Sequence, residues 1–181
     1  AAGLLMLGRR DELLQAFPAC ALDYQRWANG RLQTRLFSGS GDWSGNLFDF
    51  YRMVCRRLSP GRAMQGADAP VYAALREALV NCLVNADYHG RGGIRIVHTP
   101  EHVLFSNPGG FCVDVGAAMT GGVSRQRNAA LGRMFQFIGV GRSTGSGIPG
   151  ILDTWSGRGW AQPSITVLPG GSGRTTLTLP L

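Results

Sequence analysis

Apolar and polar positions follow two different periods along this chain, and the switches between them outline its elements. Residues 1–8 open on an apolar run that reads as the end of a helix. Residues 21–28 and 31–37 are strand-like runs on either side of Asn29-Gly30, the strongest short-range hairpin signal. A Gly/Ser-rich turn fills 38–45. Over 46–58 the period lengthens: Leu47, Tyr51, Val54 and Leu58 fall at helical spacing, with Arg52, Arg56 and Arg57 pointing elsewhere. Pro60, Gly61, Gly66 and Pro70 mark 59–70 as a connector. From 71 the texture changes. Tyr72, Leu75, Leu79, Cys82 and Ala86 form one apolar stripe, and Val80, Leu83 and Val84 broaden it, which predicts a mostly buried helix. Residues 93–98 and 102–106 read as short strands across a tight turn. Residues 112–127 are Gly-rich without a period and read as a mobile loop. Asn128 to Ile138 reads as a helix with Leu131, Met134, Phe135 and Ile138 on one face. A further helix runs from Ser146 to Trp155, and 164–168 with 174–179 alternate as a closing hairpin. This order predicts an α/β fold of the α+β kind, a mixed sheet with helices on one face. No internal repeat or low-complexity tract interrupts it.

The buried helix carries an unexpected polar set. Glu77, Asn81 and Asn85 stand at i, i+4 and i+8, a spacing that stacks them on one face. A carboxylate and two carboxamides on an apolar helix are costly without partners. A nucleotide with its metal is one such partner; an ordinary polar, partly exposed helix face is the other reading. Hard oxygen ligands suit magnesium, so Asn81 is a candidate metal ligand and Glu77 a candidate to orient or deprotonate water. Two glycine turns follow. Asn107-Pro108-Gly109-Gly110 comes after a strand, where glycine permits close approach of a base or phosphate. Gly145-Ser146-Gly147 opens a helix, whose N–H groups and dipole favour an anion. Each turn alone fits a simple reversal of the chain; their order along the sequence is the stronger signal.

Charge narrows the partners. The chain has 18 basic and 11 acidic residues, net +7, and every basic residue is Arg. Lysine chemistry, including a P-loop lysine, is excluded. The positive balance favours an anionic partner, nucleotide or nucleic acid. Cysteines at 20, 55, 82 and 112 form no CxxC pair, and the histidines at 89, 98 and 102 show no ligand spacing with them. Neither zinc nor a disulfide framework is expected, and reduced thiols fit a cytoplasmic protein. Ala1 to Leu7 is too short to span a bilayer, so no membrane role is expected. The chain lacks an initiator Met and reads as starting within a longer protein.

Residues 71–181 resemble the ATPase domain of gyrase, heat-shock chaperones, histidine kinases and mismatch-repair proteins, the GHKL class. More narrowly, Arg76 to Asn81, Ser106 to Gly110, Ser124 to Asn128 and Gly145 to Ile148 resemble the bacterial RecG-related predicted transcriptional regulators. Those proteins join a Schlafen/AlbA-type DNA-binding domain to an ATPase-like domain. Ala2 to Gly8 and Phe17-Pro18 resemble the segment just after that DNA-binding domain. The resemblance implies a two-layer GHKL sandwich over 71–181, with 1–58 as the tail of the preceding region, a hairpin plus a helix. It implies Glu77 as catalytic carboxylate and Asn81 as metal ligand. Asn81, Asn85, Asn107, Gly109, Gly110, Arg125, Gly145, Ser146 and Gly147 become the nucleotide-binding set, with ATP and Mg2+ as cofactors and 112–127 as a lid. Where the class has an adenine-binding Asp, this chain has Ser106 or Asn107. Asp87-Tyr88 matches a family turn that ends the helix and packs Tyr88. No Walker A pattern and no helicase core is present. Three functions remain open on sequence: a nucleotide-sensing domain of a DNA-binding regulator with at most slow ATPase activity; a degenerate ATPase fold kept for dimerisation or protein interaction; and a basic nucleic-acid-binding fragment.

Overall fold

The structure is a computed structural model that describes residues 1–59, 66–122, 125–140, 147–169 and 173–181. Short helices α1 (Ala2–Leu7) and α2 (Arg10–Ala16) lead into strands β1 (Leu22–Ala28) and β2 (Arg31–Phe37). The hairpin between them turns on Asn29 (φ 53°) and Gly30 (φ 68°). Both positions are left-handed, as a type I′ turn requires, and this is why Asn-Gly stands there. Helix α3 (Leu47–Leu58) follows, started by Asn46, whose side chain accepts the Asp49 N–H at 2.9 Å. Its last turn holds Arg56 and Arg57, where the helix dipole favours cations.

Helix α4 (Ala69–Asn85) begins with Pro70 in its first turn and is apolar on nearly every side. It is buried along its length, from Val71 through Leu79 to Val84. Strands β3 (Ile94–His98) and β4 (His102–Pro108) come next, then α5 (Val115–Thr120), α6 (Ala129–Phe137), α7 (Gly147–Gly157), β5 (Ser164–Leu168) and β6 (Arg174–Pro180). The sequence reads 112–127 as a loop, and α5 is the correction. Asp114 caps it by accepting the Ala117 N–H at 2.9 Å, and Gly121 (φ 91°) ends it. Helix α2 is also absent from the sequence reading; Glu12 accepts the Arg9 N–H at 3.3 Å at its start.

Among the described residues, then, the fold is mixed α+β, with seven helices and an open six-stranded sheet in the order β2-β1-β3-β4-β6-β5. All neighbours are antiparallel except β1 and β3, which run parallel. The hairpin before the connector thus extends the sheet formed after it. One face of the sheet supplies Leu22, Tyr24, Ile96, Phe105 and Leu179 to the apolar core. Phe50, Leu79, Leu83, Phe135, Ile151 and Trp155 from the helices meet them there. Trp155 is fully buried, and its indole N–H donates to the Pro180 carbonyl. The opposite face carries polar residues. Among the described residues no helix is long and apolar enough to cross a membrane.

Candidate functional site

A cleft of about 880 Å³, open mouth included, lies between α4 and the core face of the sheet near β4, β5 and β6. Phe105, Ile165 and Leu177 from the sheet and Ala78 and Cys82 from α4 make apolar walls. Phe111, Ala118 of α5 and Ile148 of α7 close in from the other side. Polar groups reach the same space from Asn81, Asn85, Asn107, Thr175 and Arg125. The helical period sets Asn81 and Asn85 one turn apart on the cleft side of α4. Burial pushes the Cys82 thiol up to about 12, so it acts as wall and not as nucleophile.

Glu77 and Asn81 sit together under the start of α7. Asn81 Nδ2 donates toward Glu77 Oε1 at 3.5 Å, and Asn85 Nδ2 donates to the Asn81 carbonyl at 3.0 Å. A Cβ on Gly147 would stand 2.5 Å from Glu77 Oε1 and 3.2 Å from Asn81 Nδ2, so a larger residue there would push the Glu77 carboxylate aside. Gly147 borders the cleft and also a second hollow, shared with Glu77, Arg76, Val140 and Thr154. Arg76 is fixed by its neighbours: its Nε donates to the Tyr51 hydroxyl at 2.9 Å and its guanidinium lies 5.9 Å from the Tyr72 ring centre. It thereby ties the turn that carries Glu77 to α3. Burial first, and then Cys55, raise the Tyr51 pKa.

At the far end of the cleft the C-terminus of α4 meets the glycine turn. Asn107 is 4% exposed, and its Nδ2 donates to the carbonyls of Pro108 (3.1 Å) and Asn85 (3.5 Å). With that nitrogen committed, the oxygen is the group it can offer the cleft. Thr175 Oγ1 donates to the Gly109 carbonyl at 2.9 Å. Gly109 (φ 103°) does not line the cleft; it lies under the Arg127 guanidinium, where a Cβ would be 3.0 Å from Nε. Gly110 does line it. Arg127 bridges the end of α4 and the glycine turn: Nε donates to the Asn85 carbonyl (3.1 Å), Nη2 to the Gly110 carbonyl (2.8 Å), and its backbone N–H to Asn85 Oδ1 (3.2 Å). Asn128 Nδ2 donates to the carbonyls of Val84 (3.0 Å) and Ala86 (2.7 Å). Tyr88 is buried and donates to the Leu83 carbonyl at 2.6 Å, which fixes the turn after the helix.

Of the residues singled out from sequence, Asn81, Asn85, Asn107, Gly110, Arg125 and Gly147 share one cleft, and Glu77 adjoins it at Gly147. Arg125 is exposed at its mouth. Gly145 and Ser146, like Ser124 of the preceding motif, lie outside the described residues. Sequence reasoning missed Phe105, Ile165, Thr175 and Leu177, which reach the cleft only through strand register. It also left Arg127 and Asn128 without their α4 partners. Among the described residues no three of His, Cys, Asp and Glu cluster as metal ligands. A cation near Asn81 and Glu77 would take most of its ligands from bound phosphate and water, as magnesium does.

Residues 92–177 match the family model described as "Putative ATP-dependent DNA helicase recG C-terminal". This part of the chain is therefore similar to an ATPase-like domain of the RecG-related kind. The match covers just under half the chain and begins after α4, so Asn107, Gly110 and Arg125 fall within it while Glu77, Asn81 and Asn85 precede it. None of the curated proteins matches the chain. Among solved structures it is similar to the DIP2311 protein from Corynebacterium diphtheriae, at 16% identity and a TM-score of 0.71 over 99% of this chain. The chain spans 36% of that protein's length, and the likeness is one of fold.

Proposed function

We propose that residues 71–181 are a two-layer sandwich of the GHKL type that binds ATP with Mg2+. The domain serves a DNA-binding transcriptional regulator of the cytoplasm and hydrolyses ATP slowly at most. The observation that carries this reading is the approach of Gly147 to Glu77 and Asn81 beside the cleft that holds Asn107 and Gly110. The apolar walls suit a base, and the Asn107 oxygen would accept its amino group. The Asn81 amide oxygen would face the cation, and the Gly147 backbone and Arg125 would face phosphates. The bound cation would screen phosphate charge. Glu77 would order a water for attack. Asn107, a neutral group where the class has a carboxylate, would hold the base more weakly, because a charge-assisted hydrogen bond is lost. Residues 1–58 would be the tail of a preceding DNA-binding region, 59–70 the connector, and the assembly a homodimer.

Thermal melting with ATP, with and without magnesium, tests this. Ligand at about 100 times its Kd stabilises the native state by roughly 2.7 kcal/mol. Asn81→Ala should lose the magnesium-dependent part of the rise; an unchanged rise removes Asn81 from the metal role. Phosphate release should be slow in the wild type. Brisk release that Glu77→Ala abolishes would make the protein a working ATPase instead.

The second reading, a degenerate ATPase fold kept for protein interaction, is favoured by one observation. Phe137 is 90% exposed and its neighbour Ile138 is 44% exposed at the end of α6. That reading expects no nucleotide-dependent melting shift, and self-association that Phe137→Ser removes.

A further inference from the structure

The sheet face turned away from the helices has a chemistry of its own. Register sets Phe37, Asp23, Arg95, Ser106 and Thr176 side by side across β2, β1, β3, β4 and β6. On the hairpin the polar groups are mutually engaged. Asp23 accepts Arg35 Nε and Nη2 at 2.9 Å and Gln25 Nε2 at 2.8 Å. The Trp27 indole donates to Gln25 Oε1 at 3.0 Å, and the Arg35 guanidinium lies 4.7 Å from the Phe37 ring centre. Two aromatic rings are thus held on this face beside an internally neutral ion pair.

In the middle of the sheet the balance differs. Arg95 is exposed, and Arg174 Nη1 donates at 2.7 Å to the hydroxyl of Ser106, the residue paired with Arg95, while Arg174 Nη2 donates to the Gly92 and Gly93 carbonyls at 2.9 Å. Ser106 also shares a 3.0 Å hydrogen bond with Thr176. Burial first, and then the neighbouring charge of Arg95, lower the Arg174 pKa. The ion pairs among the described residues are Arg35–Asp23 and Arg158–Asp68, so neither Arg95 nor Arg174 meets a carboxylate there. Two neighbouring guanidiniums without a counter-charge, on a chain of net +7, complement a polyanion.

We propose that this open face binds single-stranded nucleic acid, with phosphates against Arg95, the charge of the pinned Arg174 beside them, and a base against Trp27. Six strands about 4.8 Å apart make a face roughly 24 Å wide, room for several nucleotides. A single strand fits better than a duplex because its bases are free to stack on aromatic side chains. The cleft opens on the other face of the sheet, so this proposal does not rest on nucleotide binding there.

Fluorescence anisotropy of the whole chain with a labelled oligonucleotide of about 12 nucleotides, single-stranded and as a duplex, tests it. The single strand should bind more tightly. Arg95→Glu should weaken it roughly tenfold, and Arg95→Ala should make the salt dependence shallower by about one phosphate contact. Trp27→Ala should weaken the single strand roughly fivefold or more. Arg133→Glu, the same charge change on an exposed position of α6, should leave affinity within about twofold. Arg95 is exposed, so Arg95→Glu should keep the wild-type melting temperature; should it not, Arg95→Ala and Trp27→Ala decide the matter. Equal losses for Arg95→Glu and Arg133→Glu would reduce the effect to general charge attraction and overturn the proposal. So would a preference for the duplex, no binding of the single strand, or a wild-type dimer that Arg95→Glu dissociates, which would make a second copy the occupant.

Discussion

Asn128 does more for α4 than for α6, the helix it precedes. Its side-chain nitrogen serves two carbonyls at the end of α4, 44 and 42 residues earlier in the chain. Helix ends leave carbonyls without intrahelical partners, and here they lie where water has little access. The Asn128 backbone N–H also donates to the Val84 carbonyl at 3.0 Å, so Asn128→Ala orphans chiefly the Ala86 carbonyl and should cost about 1–3 kcal/mol. For a chain of this size that lowers the melting temperature by roughly 2–4 °C per kcal/mol. Asn128→Asp keeps the shape but cannot donate, and should be no better than Ala; rescue by Asp in a urea melt would show that shape alone matters. The sequence places Asn128 at a helix start, a local property. Its partners are not local, so nothing in the surrounding pattern announces them. The same contrast runs through the candidate site. The spacing of Glu77, Asn81 and Asn85 is legible because the helix repeat is local. Thr175 and Phe105 are not, because they arrive through the pairing of β4 with β6.

At the scale of elements, legibility follows the source of each element's order. The β1–β2 hairpin is legible because Asn29 and Gly30 both adopt positive φ, and α3 because its apolar face repeats over three turns. Helix α5 is not, since six residues containing Gly116 carry too little period to read. Its order comes from the Asp114 cap and from Ala118, which is 5% exposed against the cleft. A helix this short is marginal without tertiary support. Asp114→Ala removes a cap of about 1 kcal/mol. Amide exchange across 115–120 should then quicken roughly fivefold while exchange in α4 stays unchanged. Equal protection in both proteins would mean that packing of Ala118 holds α5 and the cap does not.

For the whole molecule, the decisive connection is the parallel pairing of β1 with β3, which joins the segment before the connector to the sheet after it. The change in sequence texture at 71 marks a change in chemistry, and the sheet crosses it. A fragment of residues 66–181 would leave β3 as an edge strand and lose Leu22, Tyr24, Phe50 and Val54, uncovering the core residues they pack against. Such an edge invites aggregation. That fragment should therefore be insoluble or lack a cooperative urea transition, whereas the whole chain should unfold in one step by fluorescence and circular dichroism. A soluble fragment with its own sharp transition would make 1–58 an accessory. The same pairing also sets a timetable. The hydroxyl of Tyr24 in β1 meets the ring of His98 in β3, 74 residues later. On a ribosome adding about 5–20 residues per second, β1 waits roughly 4–15 seconds before its neighbour has been made. During that interval the hairpin has only its own weak pairing. The speed of translation through α3 and α4, and the chaperones present at the exit tunnel, then decide how many copies reach the native sheet.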